Sequence, residues 1–493
     1  MTIPLMSNRK MAAAGSINLI YLILNSISFL VLTPLTLHVL GAETYGLWTI
    51  MLAMIQFAGL ANFGTGSAVI KYVAQYTAVE NSEKQLSSAI TFSFVFMALT
   101  GLIVTVLICI FRFNISALYK TQNTSLTMLG DSIGLISIGL LPLFLSQVST
   151  GILLAVVKNG KVGSIQFAQS ISLWLGAYLI GLFHGNLLDL GILSLIINIL
   201  TFLVSTYYAL LEMRPFRVYP FLDKTLSRDM FNYSILTWVS SIGIVMFQQL
   251  DRVIVGIVIG PSAAGVYGIA TSVALRVNLL VGQFTQVLTP FASSFSAKGK
   301  IKEIAIAFRQ TSRFVAYILL ITSTILFVWM DTILKIWISP GFSQNYSTIF
   351  RLLIIAYALN SMARPAHQLL TGLGWVKMPA ITYMVSGIFF LSTVWILSKN
   401  NGLVGAAISN FVFVSLLIMN FYAANKLNMN SIKTLIFDLG LPIFILILLM
   451  LLPIQNLIIS IRFLVCIAVL SLVILIALGE QQNRLFLKSI LYP

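Results

Sequence analysis

The chain has 493 residues, of which 59% are apolar and only 9% charged, against roughly 25% charged in a typical soluble domain, so no soluble fold could bury its hydrocarbon. At about 20 apolar residues per bilayer crossing there is room for many spans but not for a large aqueous domain, which excludes a catalytic or nucleotide-binding module on the same polypeptide. The net charge of +16 is scattered over short loops with no basic arm, so it marks membrane topology, and no nucleic acid is expected as a partner.

Hydropathy in windows of about 19 residues predicts spans near 13–39, 47–70, 88–111, 132–157, 165–183, 187–211, 231–259, 264–291, 310–337, 348–372, 380–398, 403–425, 435–452 and 461–479, fourteen in all. The first run follows Arg9 and Lys10 and extends from Ala12 to about Leu40, too long for a cleaved signal segment, so it is expected to remain as the first span. The closest pairs meet at His184–Asn186 and Asn400–Gly402; merging both would leave twelve spans. Lys and Arg concentrate in alternate loops, most densely in Met213–Asp229 with Arg214, Arg217, Lys224 and Arg228. The positive-inside rule therefore predicts an even number of spans, cytoplasmic termini and a cytoplasmic connector at Met213–Asp229. Cys109 and Cys466 both lie within apolar runs, so no disulfide framework is expected.

Two echoes suggest an internal repeat. Gly41-Ala-Glu-Thr-Tyr-Gly46-Leu-Trp48 after the first span matches Gly260-Pro-Ser-Ala-Ala-Gly265-Val-Tyr267 after the seventh as Gly-x4-Gly-x-aromatic, and Leu154–Lys161 parallels Leu370–Lys377 at nearly the same offset. An even number of spans separates the copies, so the repeats run parallel across the membrane. The expected fold is an all-α polytopic membrane protein of about fourteen transmembrane helices. Two six-helix bundles, 1–225 and 226–430, are related by a pseudo-two-fold axis along the membrane normal, and 431–493 adds two helices and a short cytoplasmic tail.

Ionisable groups inside spans are costly and normally face a cavity or a partner. Asn360, Arg364 and His367 recur at i, i+4 and i+7 in the tenth span, one helix face that either lines a cavity or bonds between helices. Arg276 sits near the middle of the eighth span with Gln283 seven residues on and no acidic residue a turn away, as expected of a cation facing a lumen. In the seventh span Asp251 and Arg252 point about 100° apart. Asp251 either couples transport to a cation or forms a structural ion pair, with Arg276 as a candidate partner. Lys71 ends the second span as a topology anchor or a cavity cation. Asn18, Asn25 and Ser28 share a face of the first span and suit interhelical hydrogen bonds. Trp48, Trp329, Trp337 and Tyr346 fit an interfacial aromatic belt.

The segments His38-Val-Leu-Gly-Ala-Glu-Thr-Tyr-Gly-Leu-Trp48 and Asn62-Phe-Gly-Thr-Gly-Ser67 running into Lys71-Tyr72, with the Gly160-Lys161 and Gly374-Trp-Val-Lys377 turns, resemble those of the polysaccharide-exporting lipid flippases. This family, whose best-known members are the O-antigen flippases, belongs to the multidrug/oligosaccharidyl-lipid/polysaccharide exporter superfamily, and the resemblance runs through all fourteen spans. It implies transfer of an undecaprenyl-pyrophosphate-linked oligosaccharide from the cytoplasmic to the outer leaflet of a bacterial inner membrane by alternating access. The implied partners are that glycan, the lipid bilayer, a polysaccharide polymerase and a chain-length regulator. No Walker A motif, no H-E-x-x-H and no paired-cysteine pattern occurs, so neither enzymatic activity nor a cofactor or metal is expected. The rival readings are a multidrug and toxic-compound exporter of the same superfamily, for which an acidic lumen and twelve spans would be expected, and an integral-membrane glycan polymerase, for which a sizeable outer loop would be expected.

Overall fold

A computed structural model describes residues 8–451 apart from 78, 80, 120, 122–123, 125, 157, 286–287, 298 and 428–430, together with 462, 464–471 and 473; some helical stretches, such as 243–249, are described in backbone only. The described elements are helices: α1 (Asn8–Ala58), α2 (Thr65–Thr77), α3 (Glu83–Ser116), α4 (Leu126–Ile138), α5 (Leu140–Ala155), α6 (Asn159–Leu182), α7 (Leu187–Met213), α8 (Lys224–Val258), α9 (Pro261–Thr285), α10 (Leu288–Ala297), α11 (Ile301–Trp337), α12 (Pro340–Ser361), α13 (Arg364–Gly372), α14 (Lys377–Ser409), α15 (Ile418–Lys426) and α16 (Ser431–Leu451). Nine helical stretches among the described residues are long and apolar enough to cross a membrane, which makes the chain an all-α polytopic membrane protein. Large apolar side chains such as Ile103, Ile110 and Phe389 are more than half exposed, as expected where the solvent is lipid.

Breaks between spans fall at residues that cannot continue a helix. Gly41, at φ 74 and ψ 164, divides α1 into two helices, and Gly402, at φ 58, divides α14. Residues eight apart on one helix would be about 12 Å apart. A β-carbon on Gly405 would instead lie 2.0 Å from the Leu397 carbonyl oxygen, so the chain folds back at Gly402. His184 (φ 58) and Gly185 separate α6 from α7, whose start Asn186 and Asp189 close with a capping box. Both close pairs of predicted spans are therefore distinct helices. Of the last predicted span, 461–479, residues 464–471 are helical and most of the remainder lies outside the described residues.

The predicted second span, 47–70, is corrected in its middle. After Ala58 the chain makes a 3-10 turn at Gly59–Asn62, then passes through Phe63 (φ 45) and Gly64 (φ 74) before α2 begins. Asn62 causes the break: its Oδ1 accepts the Gly64 N–H at 2.9 Å, a local turn that competes with the helical ladder. Its Nδ2 donates to Gln147 Oε1 on α5 at 2.8 Å, and Trp238 Nε1 on α8 donates at 2.5 Å to the Leu60 carbonyl, which also accepts the Phe63 N–H. Trp48 is also corrected. It is fully buried, with the Trp174 ring edge-on at 4.9 Å and Tyr45 at 6.1 Å, so it belongs to the core and to no interfacial belt.

The chain forms two compact units, Met1–Gly268 and Ile269–Pro493. In the first, α1 packs on α6 and α8, α3 on α4 and α5, and α7 on α4, α5 and α6. The two copies of the Gly-x4-Gly-x-aromatic motif meet there: a β-carbon on Gly46 would lie 1.8 Å from the Pro261 carbonyl oxygen, and one on Gly265 would lie 3.0 Å from Gly46 Cα. Only glycine permits backbones to approach so closely. In the second unit α11 packs on α12 and α16, α10 on α13, and α12 on α14.

Candidate functional site

The candidate site lies in the second unit at the join of α12 and α13. Ala363 donates its N–H to the Asn360 carbonyl three residues back, which tightens the turn, and Asn420 Nδ2 donates to the Met362 carbonyl at 3.1 Å. α13 then starts with Arg364 and Pro365, a place where a missing N–H leaves no ladder bond unmade. The predicted i, i+4, i+7 face of Asn360, Arg364 and His367 is thus interrupted at Met362–Ala363, between Asn360 and Arg364. Asn360 is buried at the end of α12.

Arg364 reaches α9 at Gly282, where an added β-carbon would fall 2.3 Å from Nη1, so the absence of a side chain there makes room for the guanidinium. Its electrostatic neighbours are His367, one turn along α13, and Tyr383 on α14. The His367 and Tyr383 rings meet edge-on, with centroids 5.5 Å apart, and His367 Nδ1 is buried with no hydrogen-bond partner among the described residues. No carboxylate pairs with Arg364 among the described residues. Nearby, Asn278 Nδ2 donates to Ser361 Oγ at 2.8 Å, and Thr289 Oγ1 bonds Gln368 Oε1 at 2.7 Å, tying α9 to α12 and α10 to α13. Arg276 turns back along its own helix, Nη1 donating to the Ser272 carbonyl at 2.7 Å. The Gln283 side chain lies outside the described residues.

The remaining predicted residues lie in the first unit. Asp251 is fully buried: its Oδ1 accepts the Arg252 N–H at 2.9 Å, Tyr267 is a further neighbour, and Oδ2 has no partner among the described residues. The Arg252 stem lies alongside Gly268, its Cδ 3.7 Å from where a β-carbon there would sit. Lys71 is exposed, with Nζ 4.0 Å from the centre of the Tyr233 ring and 4.9 Å from that of Tyr72, both cation–π contacts. The first unit also contains a cleft bordered by Met51, Met54, Ile55 and Ile108 in which Ser137 is the one polar lining residue, a poor match for an anion.

A buried charge cluster escaped the sequence reading. Arg351 on α12 donates Nε to the Phe327 carbonyl at 3.0 Å and Nη2 to Asp331 Oδ2 at 2.5 Å, and Arg462 Nη2 approaches the same oxygen at 3.6 Å. Asp331 and Arg351 sit near the predicted ends of their spans, where charge reads as loop anchoring, and their pairing shows only in three dimensions. Tyr383 and Gly282 were missed for want of any sequence signal.

Residues 38–346 match the family described as polysaccharide biosynthesis protein. A Shigella flexneri protein named "Putative O-antigen transporter" is 26% identical over 375 residues, covering 75% of this chain and 87% of its own length. Among solved structures, one described as the inward-facing conformation of a multidrug resistance MATE family transporter of the MOP superfamily superposes with a TM-score of 0.71 at 11% identity, covering 84% of this chain and 98% of its own. Another, described as lipid II flippase MurJ in an inward closed conformation, gives 0.67 at 16% identity, with 92% and 98% covered. At such identities these two likenesses establish the fold and nothing further.

Proposed function

This chain belongs to the polysaccharide biosynthesis protein family, and we propose that it is a flippase that moves an undecaprenyl-pyrophosphate-linked oligosaccharide from the cytoplasmic to the outer leaflet of a bacterial inner membrane. The observation that carries this reading is Arg364, half-buried in the notch left by Gly282, beside a histidine with an open ring nitrogen and without a carboxylate among the described residues. A guanidinium stays protonated and presents a planar fork that fits phosphate oxygens, so this arrangement suits a pyrophosphate. Arg276 and Arg252 add positive charge within spans, and Lys71 serves as a cation at a span end. The hydrated head group cannot enter hydrocarbon, whereas the polyprenyl tail need never leave it. A carrier that exposes such a site alternately to the two faces moves the head group without chemistry. The two bundles proposed for this movement are 1–225 and 226–430, with 431–493 as an accessory pair of spans.

The positive sign of the candidate site at Arg364 argues against an organic-cation exporter, despite the shared fold. The Shigella flexneri relative's name and the family's description favour a surface-polysaccharide unit as cargo. The test is head-group transfer by the purified protein in vesicles loaded with a labelled lipid-pyrophosphate oligosaccharide, read by protection from an impermeant degrading enzyme. Transfer that is lost in Arg364→Ala supports the proposal. Failure of the unmodified protein beside a working control flippase, or full activity of Arg364→Ala, refutes it.

A further inference from the structure

The segment joining α7 to α8 has a construction that transport alone does not explain. Its backbone is fastened to the first turns of α3 by three hydroxyls. Ser87 Oγ donates to the Arg217 carbonyl at 3.3 Å and accepts the Tyr219 N–H at 3.2 Å, Thr91 Oγ1 accepts the Phe221 N–H at 3.3 Å, and Ser88 Oγ accepts the Asp223 N–H at 2.8 Å. Phe216 turns inward onto the core cluster that includes Ala209 and Met213. With the backbone held in this way, Arg217, Val218, Tyr219, Phe221 and Leu222 all face outward, Leu222 at 54% exposure.

Position and chemistry together identify what covers this strap. Ser87 and Thr91 stand four and eight residues into α3, about 6 and 12 Å along its axis. The polar layer flanking the hydrocarbon is itself about 5–8 Å thick. The apolar lipid-facing stripe of α3 starts just beyond, at Val95, and continues through Leu99 and Leu102. The strap thus lies where the membrane surface meets the first span surface exposed to lipid. Arg214 and Arg217 in this segment and Lys224 and Arg228 in the first turns of α8 are all exposed, opposed by Asp223 and Asp229. The Asp223 carboxylate is already engaged, accepting the Thr225 and Leu226 N–H groups that open α8. A rigid strap with apolar and aromatic side chains set among guanidinium and ammonium groups is complementary to an anionic lipid surface.

We propose that the strap 214–228 is a docking surface for anionic phospholipid, with phosphate head groups on Arg214, Arg217, Lys224 and Arg228 and with Tyr219, Phe221 and Leu222 entering the acyl boundary. The assignment does not depend on the identity of the cargo, and its test needs no transport. The full-length protein is exchanged into detergent containing equal amounts of phosphatidylglycerol and phosphatidylethanolamine, and bound lipid is counted by native mass spectrometry.

The unmodified protein is expected to retain phosphatidylglycerol preferentially. R214Q/R217Q/K224Q/R228Q should reduce that preference by at least about tenfold, as loss of four surface cations predicts, with an unchanged melting temperature. Should the fourfold variant fail to fold, R214Q/R217Q and K224Q/R228Q carry the test separately. A preference that survives these changes, or one lost in K158Q/K161Q instead, overturns the assignment, as does absence of any preference in the unmodified protein. A dimer peak abolished by the same substitutions would give the surface to a second copy of the chain and likewise overturn it.

Discussion

At the scale of single residues, space and charge determine what each arginine can do. Gly282 leaves room for Arg364 Nη1, and a methyl group there would meet the far end of a flexible side chain, not backbone. Gly282→Ala is therefore expected to displace the guanidinium while leaving the fold intact. Head-group transfer should fall several-fold at near-normal membrane abundance, measured in vesicles and by immunoblot. Arg364→Ala and Arg276→Ala should each cost about tenfold or more, the scale of a lost charged hydrogen bond. Arg364→Lys should keep part of the activity, since charge survives without the fork. Asp331 has the opposite profile. Its carboxylate neutralises buried Arg351 and approaches Arg462, and removing one partner of a buried pair costs about 3–5 kcal/mol. Asp331 is itself partly exposed, so the lower end of that range is expected. Asp331→Ala should lower thermal stability in detergent by about 3 kcal/mol, and an unchanged melting point would show that the cluster is dispensable.

At the scale of helices, stability depends on where glycine and asparagine stand. Gly46 and Gly66 separate two roles: a β-carbon at Gly46 would strike the backbone of Pro261, whereas nothing lies within 4 Å of one at Gly66 in α2. Gly46→Ala should therefore destabilise by at least about 1–3 kcal/mol, the cost of overpacking. Gly66→Ala should be neutral or stabilise by about 0.4–1 kcal/mol through the unfolded chain. Equal melting temperatures for the two variants would refute this reading of the crossing. The start of α8 adds a pH dependence. Hydrogen bonds from the Thr225 hydroxyl and from the Leu226 and Thr225 N–H groups hold the Asp223 carboxyl below its ordinary value. A depressed carboxylate stabilises the fold above its unfolded pKa, and that contribution is lost as pH falls through the folded value. The melting difference between the unmodified protein and Asp223→Ala should accordingly shrink on acidification from neutrality to below the carboxylate range. The crossing was legible in sequence as a repeated motif, but its glycines gave no sign that the two copies touch. The break at Asn62–Gly64 was hidden for a physical reason: hydropathy averages over a window, and a local side-chain turn does not lower it.

At the scale of the whole molecule, the alternation of hydrocarbon and basic loops made the membrane fold legible, because bilayer thickness fixes span length regardless of tertiary detail. The site was legible only in part. Cations inside apolar runs stood out, but the pairing of Arg351 with Asp331 and the notch at Gly282 depend on which helices are neighbours, which composition does not specify. Orientation follows from loop charge alone and can be tested directly. If Arg214, Arg217, Lys224 and Arg228 set the orientation as the positive-inside rule predicts, the α7–α8 connector is cytoplasmic and parity puts the α6–α7 turn at His184 outside. Ser227 would make a poor reporter because its hydroxyl is buried, whereas Thr225 and His184 are exposed. In a background with Cys109 and Cys466 replaced by serine, an impermeant thiol reagent applied to intact cells should label His184→Cys and leave Thr225→Cys unmodified until the membrane is opened. The reverse pattern would invert the topology and with it the proposed direction of transfer. Labelling of both sites in intact cells would mean that the six-span spacing between the repeats is wrong, since an odd number of crossings between the copies would make them antiparallel.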